Sequence, residues 1–538
     1  MLHYFKEKFN YLFIITLLIF LICFIISHFH IIFFPNQLEY REGAALLIVS
    51  EILKGNMPYT LKMQPYLSEV YGPIYYFISA FFVKFSVLNL TTLRFLSAFC
   101  IIANLFCFYY FNRRRDSTLL LIAYCILFYS HQLFMCIPIA RPDSLGLLFF
   151  ILSIGIPFKN NFNKKSLLLS LLFALLAFYT KVYFVIGFLF VLFYLFCFHS
   201  IKRAFYYFVL FISCITSSLV FLNYFFDFYF LSVFSSHLTG TVYDFSHLLN
   251  QLNFYFKDLL LAISILFLFF AFINVFRISK FSLKNNDQLL IESYLNFSFI
   301  NQPFLKQKYQ INYFFFLFLM GFILLLFKLG GHTGQFGVYF IQFLSFPILS
   351  LSFQKFHKPF INYPLISLFI IIILLYNSYS ILPTHKDYEK SKHSFNKSLN
   401  HIKFKKRILS SPLLASNLIY SKKYVYASGL TEYMCYASSL KNNYGFPKPF
   451  SILKDKILLD KIRQSENRWN TYVKGIQNKV KKKYFDLVIM DTSIYDDWLI
   501  KRSELEKSYK LIDSANIYMS TTYQSFFVYF YEPDFSLK

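Results

Sequence analysis

Long apolar runs, parted by short polar or basic turns, fill the chain up to about Pro383. Polar residues dominate the rest. A run of about 20 apolar residues is what an α-helix needs to cross roughly 30 Å of hydrocarbon. The pattern predicts a first span from about Tyr11 to Phe34, and further spans at 93–112, 117–138, 143–158, 166–180, 182–199, 204–232, 258–277, 312–329, 337–354 and 361–381. The first run is too long for the core of a signal peptide, so it reads as an uncleaved span with its N-terminus in the cytosol. The tail from 385 to 538 predicts a small α/β unit. Its strands are expected at Lys423–Ala427, Leu487–Met490 and Phe526–Phe530, and its helices at Ile452–Gln464 and Ser503–Ser508.

The stretch 71–88 is also apolar, and charge decides how it lies. Basic clusters stand at Arg113–Arg115, Lys159 with Lys164–Lys165, Lys202–Arg203, Arg277 to Lys308, and Lys355 with Lys358. If 71–88 spans, all of them fall outside; if it does not, all fall in the cytosol, as the positive-inside bias requires. Residues 71–88 are therefore expected as a juxtamembrane or re-entrant helix on the outer face. The fold expected is an all-α polytopic membrane protein of about eleven transmembrane helices with outer juxtamembrane helices, followed by an extramembrane C-terminal α/β domain at 385–538. The outer loop 35–92 carries a second interfacial helix, amphipathic over Gly43–Lys54 and ended by Gly55-Asn56.

Composition agrees. Apolar types make up 57% of the chain and charged ones 15%, which rules out an ordinary soluble enzyme or a disordered protein. The net charge of +26 reads as orientation charge, with no need of nucleic acid. No CxxC pair, nucleotide-binding glycine loop or internal repeat is present. Only 12 of the 27 acids lie in 1–384, and intramembrane or membrane-edge charges are where function concentrates.

Several such residues converge on the predicted outer face. Glu39 and Glu42 open the first outer loop, where a helix-capping role for Glu42 competes with a catalytic one. Arg141 and Asp143 open the fourth span, as a structural pair or as a phosphate-holding cation beside a base. Lys181 breaks the run 166–199, either snorkelling from a hairpin or binding phosphate. His332 and Gln335 sit in the turn Gly330–Gln335. His28-Phe29-His30 has metal-ligand spacing, but an interfacial pair of histidines is the better reading. These residues suit an active site facing lipid phosphates or, equally, a transport gate.

Glu39-Tyr40-Arg41-Glu42-Gly43, followed by a helix and Lys54-Gly55-Asn56-Met57-Pro58-Tyr59, resembles the first outer loop of the GT-C glycosyltransferases. Tyr71-Gly72-Pro73, Leu93-Arg94-Phe95-Leu96-Ser97, Ala140-Arg141-Pro142-Asp143, Tyr179-Thr180-Lys181 and the Gly330–Gln335 turn resemble later motifs of that superfamily, in order, over about residues 10–380. The branch resembled is that of protein mannosyltransferases, aminoarabinose transferases and rhizobial-type lipopolysaccharide glycosyltransferases. Two departures bear on sugar and acceptor: Glu39 stands where relatives usually have Asp, and His332 and Gln335 where Asn-rich sequence is expected.

The resemblance implies an integral membrane enzyme of the bacterial inner membrane, with its active site and C-terminal domain in the periplasm. Such an enzyme moves a sugar from a polyprenyl-phosphate carrier to a hydroxyl on a lipid, glycan or protein, with inversion. Glu39 or Glu42 would be the base and Asp143 would position the acceptor. Arg141 and Lys181 would hold the phosphate, with Tyr71, His332 and Gln335 lining the site. A divalent ion at Glu39 and Asp143 is optional. A lipid-linked-sugar flippase and a non-catalytic assembly protein of the same fold are the alternatives.

Overall fold

The computed structural model describes residues 2–64, 69–112, 137–235, 244–250, 385–410, 414–420, 456–491, 499–519 and 524–536. The expected spans at 117–138 (up to residue 136) and between 258 and 381, the Gly330–Gln335 turn and the expected strand Lys423–Ala427 lie outside the described residues. Helices dominate the described part, with one small sheet.

Among the described residues, three helices are long and apolar enough to cross a membrane: Tyr11–Phe33 within α1 (Leu2–Phe33), Leu90–Phe111 within α4 (Leu90–Asn112), and α8 (Ile201–Phe225). On α1 the exposed side chains include Leu12, Ile15, Ile19, Ile22, Ile26, Phe29 and Phe33, an apolar row at helical spacing. Such a row is unstable against water and suits lipid. Membrane association follows from these helices. The eleven-span count rests on the sequence.

Helix α3 (Ile74–Lys84) has 11 residues, about 16 Å of rise, too short to span. This fits its expected juxtamembrane place. Helix α2 (Tyr40–Leu53) departs from expectation. It is not amphipathic at an interface, because every residue from Glu42 to Ser50 is buried. Helices α3 and α4 pack on it, and so does α10 (Ala415–Tyr420) from the tail.

Helices α5 (Asp143–Lys159), α6 (Lys164–Phe178) and α7 (Ile186–Phe198) form the middle of the membrane part. Asn163 caps α6 by accepting a hydrogen bond from the Ser166 amide. Ser170 donates to the Ser153 carbonyl at 2.6 Å and meets the Tyr207 hydroxyl at 2.9 Å, tying α5, α6 and α8 together. The direction of the helices gathers one set of ends: the end of α1, the starts of α4 and α5, and the ends of α6 and α8. Lys159, Lys164–Lys165 and Lys202–Arg203 stand at the opposite ends, as the charge pattern predicts.

The tail is an α/β unit seated on the gathered ends. Its sheet runs β1 (Ile408–Ser410), β2 (Leu487–Asp491), β4 (Gln524–Pro533), β3 (Tyr509–Met519), with β1 and β2 parallel and the rest antiparallel. Helix α9 (His385–Ile402) covers one face through Phe395 and Ile402, and α11 (Lys456–Lys481) packs Trp469, Ile476 and Val480 on the other cluster. The short α12 (Arg502–Leu505) leads into β3. Contacts to the membrane part are specific. Ser416 donates from its amide and hydroxyl to Gln37 Oε1, and Asn417 donates to Asn36 Oδ1 at 3.0 Å. Arg468 Nε donates to the Gln64 carbonyl and Lys461 to the Asp227 carbonyl. Phe228, just past α8, enters the tail's own core with Trp469 and Val480.

Candidate functional site

The site lies at the gathered ends, beneath the tail. Glu39 takes an extended backbone (φ −146°, ψ 145°) and caps α2, its Oε2 accepting from the Arg41 amide at 2.8 Å. The cap is therefore Glu39, not Glu42. The other oxygen of Glu39, Oε1, lies 3.0 Å from Arg141 Nη1. Burial pushes the Glu39 carboxyl above the ordinary glutamate range, against the pull of Arg141 and Arg41.

Glu42, one turn into α2, is enclosed on all sides. Its Oε1 accepts from Arg94 Nε at 2.7 Å and the Ala140 amide at 2.9 Å. Its Oε2 accepts from Arg94 Nη2 and the Leu38 amide, both at 2.7 Å. Arg94 spends its remaining donors on the carbonyls of Ile31, Phe34 and Asn36. Both side chains are wholly buried. Burial alone would raise the Glu42 carboxyl, but Arg94 and the two amides hold it below the usual range. This pair joins the end of α1, the start of α2, α4 and the turn before α5. It fixes where Glu39 and Arg141 stand.

Arg141 links the two other acids. Its Nη1 reaches Glu39, its Nε donates to Asp143 Oδ2 at 3.0 Å, and its Nη2 donates to the Tyr71 hydroxyl at 3.2 Å. Asp143 is the first residue of α5 after Pro142, so it is helical rather than a cap. Its Oδ1 accepts from Lys181 Nζ at 2.5 Å and, more weakly, from the Tyr183 hydroxyl at 3.4 Å. Lys181 follows the end of α6, and its ammonium lies 4.3 Å from the centre of the Tyr71 ring. Glu39, Arg141, Asp143 and Lys181 are all at least nine-tenths buried.

The position of Tyr71 follows from Gly72. The Gly72 amide donates to the Thr180 carbonyl at 3.1 Å and the Ile74 amide to that of Tyr179 at 3.3 Å. A β-carbon on Gly72 would stand 1.9 Å from the Tyr179 carbonyl oxygen. Only glycine lets the 71–73 segment lie against the hairpin that carries Lys181. Glu69 supports the same turn by accepting from the amides of Val70 and Tyr71, both at 2.9 Å. Arg41 stacks 5.0 Å from the Tyr71 ring. A small cleft of about 10 Å³, room for one water molecule, lies here, lined among others by Arg41, Glu69, Tyr71, Tyr76 and Arg141.

The structure thus brings together Glu39, Arg141, Asp143, Lys181 and Tyr71. It sets Glu42 one step behind them. His332 and Gln335 lie outside the described residues. A divalent ion shared by Glu39 and Asp143 does not fit, because the Arg141 guanidinium bridges these two carboxylates. Among the described residues no group of three or more His, Cys, Asp or Glu is placed to hold a metal. His28 is buried and His30 exposed, so the two do not act as a pair. Sequence reasoning did not single out Glu69, Tyr183 or the ring contact of Arg41, and it met Arg94 only as part of a motif. An arginine four residues into an apolar helix was the available signal.

Chemically, the arrangement offers a buried carboxylate of raised basicity paired with Arg141, a second carboxylate shared by Arg141 and Lys181, and an aromatic wall, at the gathered helix ends beneath the tail. No protein-family model, curated protein or solved structure matches the chain.

Proposed function

We propose that this protein is an integral membrane glycosyltransferase. On this reading it moves a sugar from a polyprenyl-phosphate carrier to an acceptor hydroxyl of a lipid, glycan or protein, on the outer face of a bacterial inner membrane and with inversion. The observation that carries the reading is the Glu39–Arg141–Asp143–Lys181 chain of buried charges, seated at helix ends rather than midway along them. A flippase would more often hold its charges near the midplane between broken helices.

Glu39 accepts the proton of the acceptor hydroxyl, as a general base does. The acceptor oxygen forms its bond to the anomeric carbon while the bond from that carbon to the phosphate oxygen breaks. The departing phosphate keeps the electron pair, and Arg141 and Lys181 stabilise its growing charge. Asp143 orients both cations and is a positioning residue. Glu42, with every lone-pair direction engaged by Arg94 and two amides, is a positioning residue as well. No metal enters this mechanism.

The test is glycan and lipid profiling of a deletion strain, complemented by wild-type or Glu39→Gln protein. The expected result is loss of one sugar from an envelope molecule, restored by wild type alone. An unchanged envelope sugar profile, or full restoration by Glu39→Gln, overturns the reading.

A further inference from the structure

The far ends of two helices of the tail carry a basic and aromatic tip. Two helices run from the membrane part to it. Tyr388 of α9 packs its ring 5.5 Å from Phe34, and Ile402 lies 14 residues on, about 21 Å along the helix. Arg468 of α11 binds the outer loop, and Lys481 lies 13 residues on, about 20 Å further. The loop 403–407 and the helix end 479–483 meet there and carry eight Lys and Arg. Asp486, Glu532 and Asp534 are the acids among them, and Asp486 and Glu532 are paired with Arg407 and Lys405.

Rings stand among these cations. Phe404 is 82% exposed and Phe535 is 77% exposed. Lys403 lies 5.6 Å from the Phe404 ring, Lys483 lies 5.5 Å from that of Phe535, and Arg407 lies 4.9 Å from that of Tyr484. Charge alone explains solubility, but it does not explain two phenylalanines left in water at the tip.

We propose that this tip binds an anionic glycan, a polymer whose sugar rings carry carboxylate or phosphate groups. Each exposed ring offers a flat apolar face for a sugar ring, and a cation about 5 Å away meets that sugar's charged substituent. The tip stands about 20 Å along α9 and α11 from the points where these helices hold the membrane part, and the vesicles in the experiment test a lipid surface as the alternative. Single-stranded nucleic acid also suits stacked rings and cations, and oligothymidylate enters the experiment as that alternative. The inference takes from the proposed function only the outward placement of the tail, and it needs no transferase activity.

The experiment uses the full chain in detergent micelles, with binding to immobilised alginate (a carboxylated polysaccharide), dextran (a neutral one), oligothymidylate and phosphatidylglycerol vesicles. Expected is binding to alginate that weakens with salt, at least tenfold tighter than to dextran or oligothymidylate. Lys481→Glu/Lys482→Glu and Phe404→Ser/Phe535→Ser should each weaken it at least tenfold. These positions are exposed, so unfolding temperatures should not change. Alginate binding equal to dextran or oligothymidylate, alginate binding indifferent to the phenylalanine pair, or vesicle binding lost in the same variants each overturns the proposal.

Discussion

Arg94 and Glu42, 52 positions apart, form a two-pronged ion pair with no exposed surface, its two contacts both 2.7 Å long. The guanidinium also closes three backbone carbonyls. Removing one partner leaves a buried charge alone, which typically costs about 3–5 kcal/mol, a large share of the roughly 5–15 kcal/mol that holds most folds. Arg94→Leu should therefore fail in folded yield and unfolding temperature, not in turnover alone. Because the Glu42 carboxyl is held low, its contribution is present above its unfolded value of 4.5 and fades as pH falls through the folded one. Glu42→Gln should flatten that acid-side loss in thermal unfolding scans.

Glu39→Gln should insert and fold, while transfer falls by about two to four orders of magnitude. The rate should rise with pH as Glu39 loses its proton, with a midpoint above 4.5 because burial raises it. A midpoint at or below the ordinary glutamate value would assign that limb to another group.

Lys181→Met and Arg141→Gln should weaken use of the polyprenyl-phosphate donor more than they lower stability. Arg141 reaches Glu39, Asp143 and Tyr71 with three different nitrogens, and a lysine has one. Arg141→Lys should therefore be impaired too. Donor-concentration dependence in nanodiscs measures this, and an unchanged curve for Lys181→Met would remove it from the phosphate.

Gly72→Ala sets a methyl against the Tyr179 carbonyl at 1.9 Å, so the 71–73 segment must part from the hairpin. Strain of this kind typically costs 1–3 kcal/mol. Tyr71 should move away from Lys181, and transfer should fall further than stability. Unfolding scans set beside turnover per folded molecule check it.

A reporter fused after Pro383 should be active only in the outer compartment, and a label on Lys164–Lys165 only from the cytosol. Cytosolic activity of the first would mean that the span count is wrong by one.

Much of the described membrane part was legible because apolar runs and stop signals coincide, as at Gly55-Asn56. Arg141 and Lys181 stood out as cations where the orientation bias wants none, and Glu39 and Asp143 as acids in a stretch poor in them. Their pairing was not legible. Asp143 and Lys181 are 38 residues apart, and nothing local links them. Glu42 was expected to cap a helix or act as a base, and only Arg94 on another helix reveals its structural part. In the tail, β2 and β4 fall near Leu487–Met490 and Phe526–Phe530. Strand β3 escaped notice because a register shift between Leu511 and Asp513 breaks its alternation. Helix α9 escaped because two of its buried positions are Ser391 and Ser398.

The hydrogen bond between Asn36 and Asn417 joins residues 381 positions apart. The ribosome completes the helices of the described membrane part long before it makes Asn417. The Glu39 loop must therefore wait, its partner still unmade, until nearly four-fifths of the chain has been synthesised. This junction closes late in biogenesis, and a chain stopped short of it carries the acid on an unfinished seat.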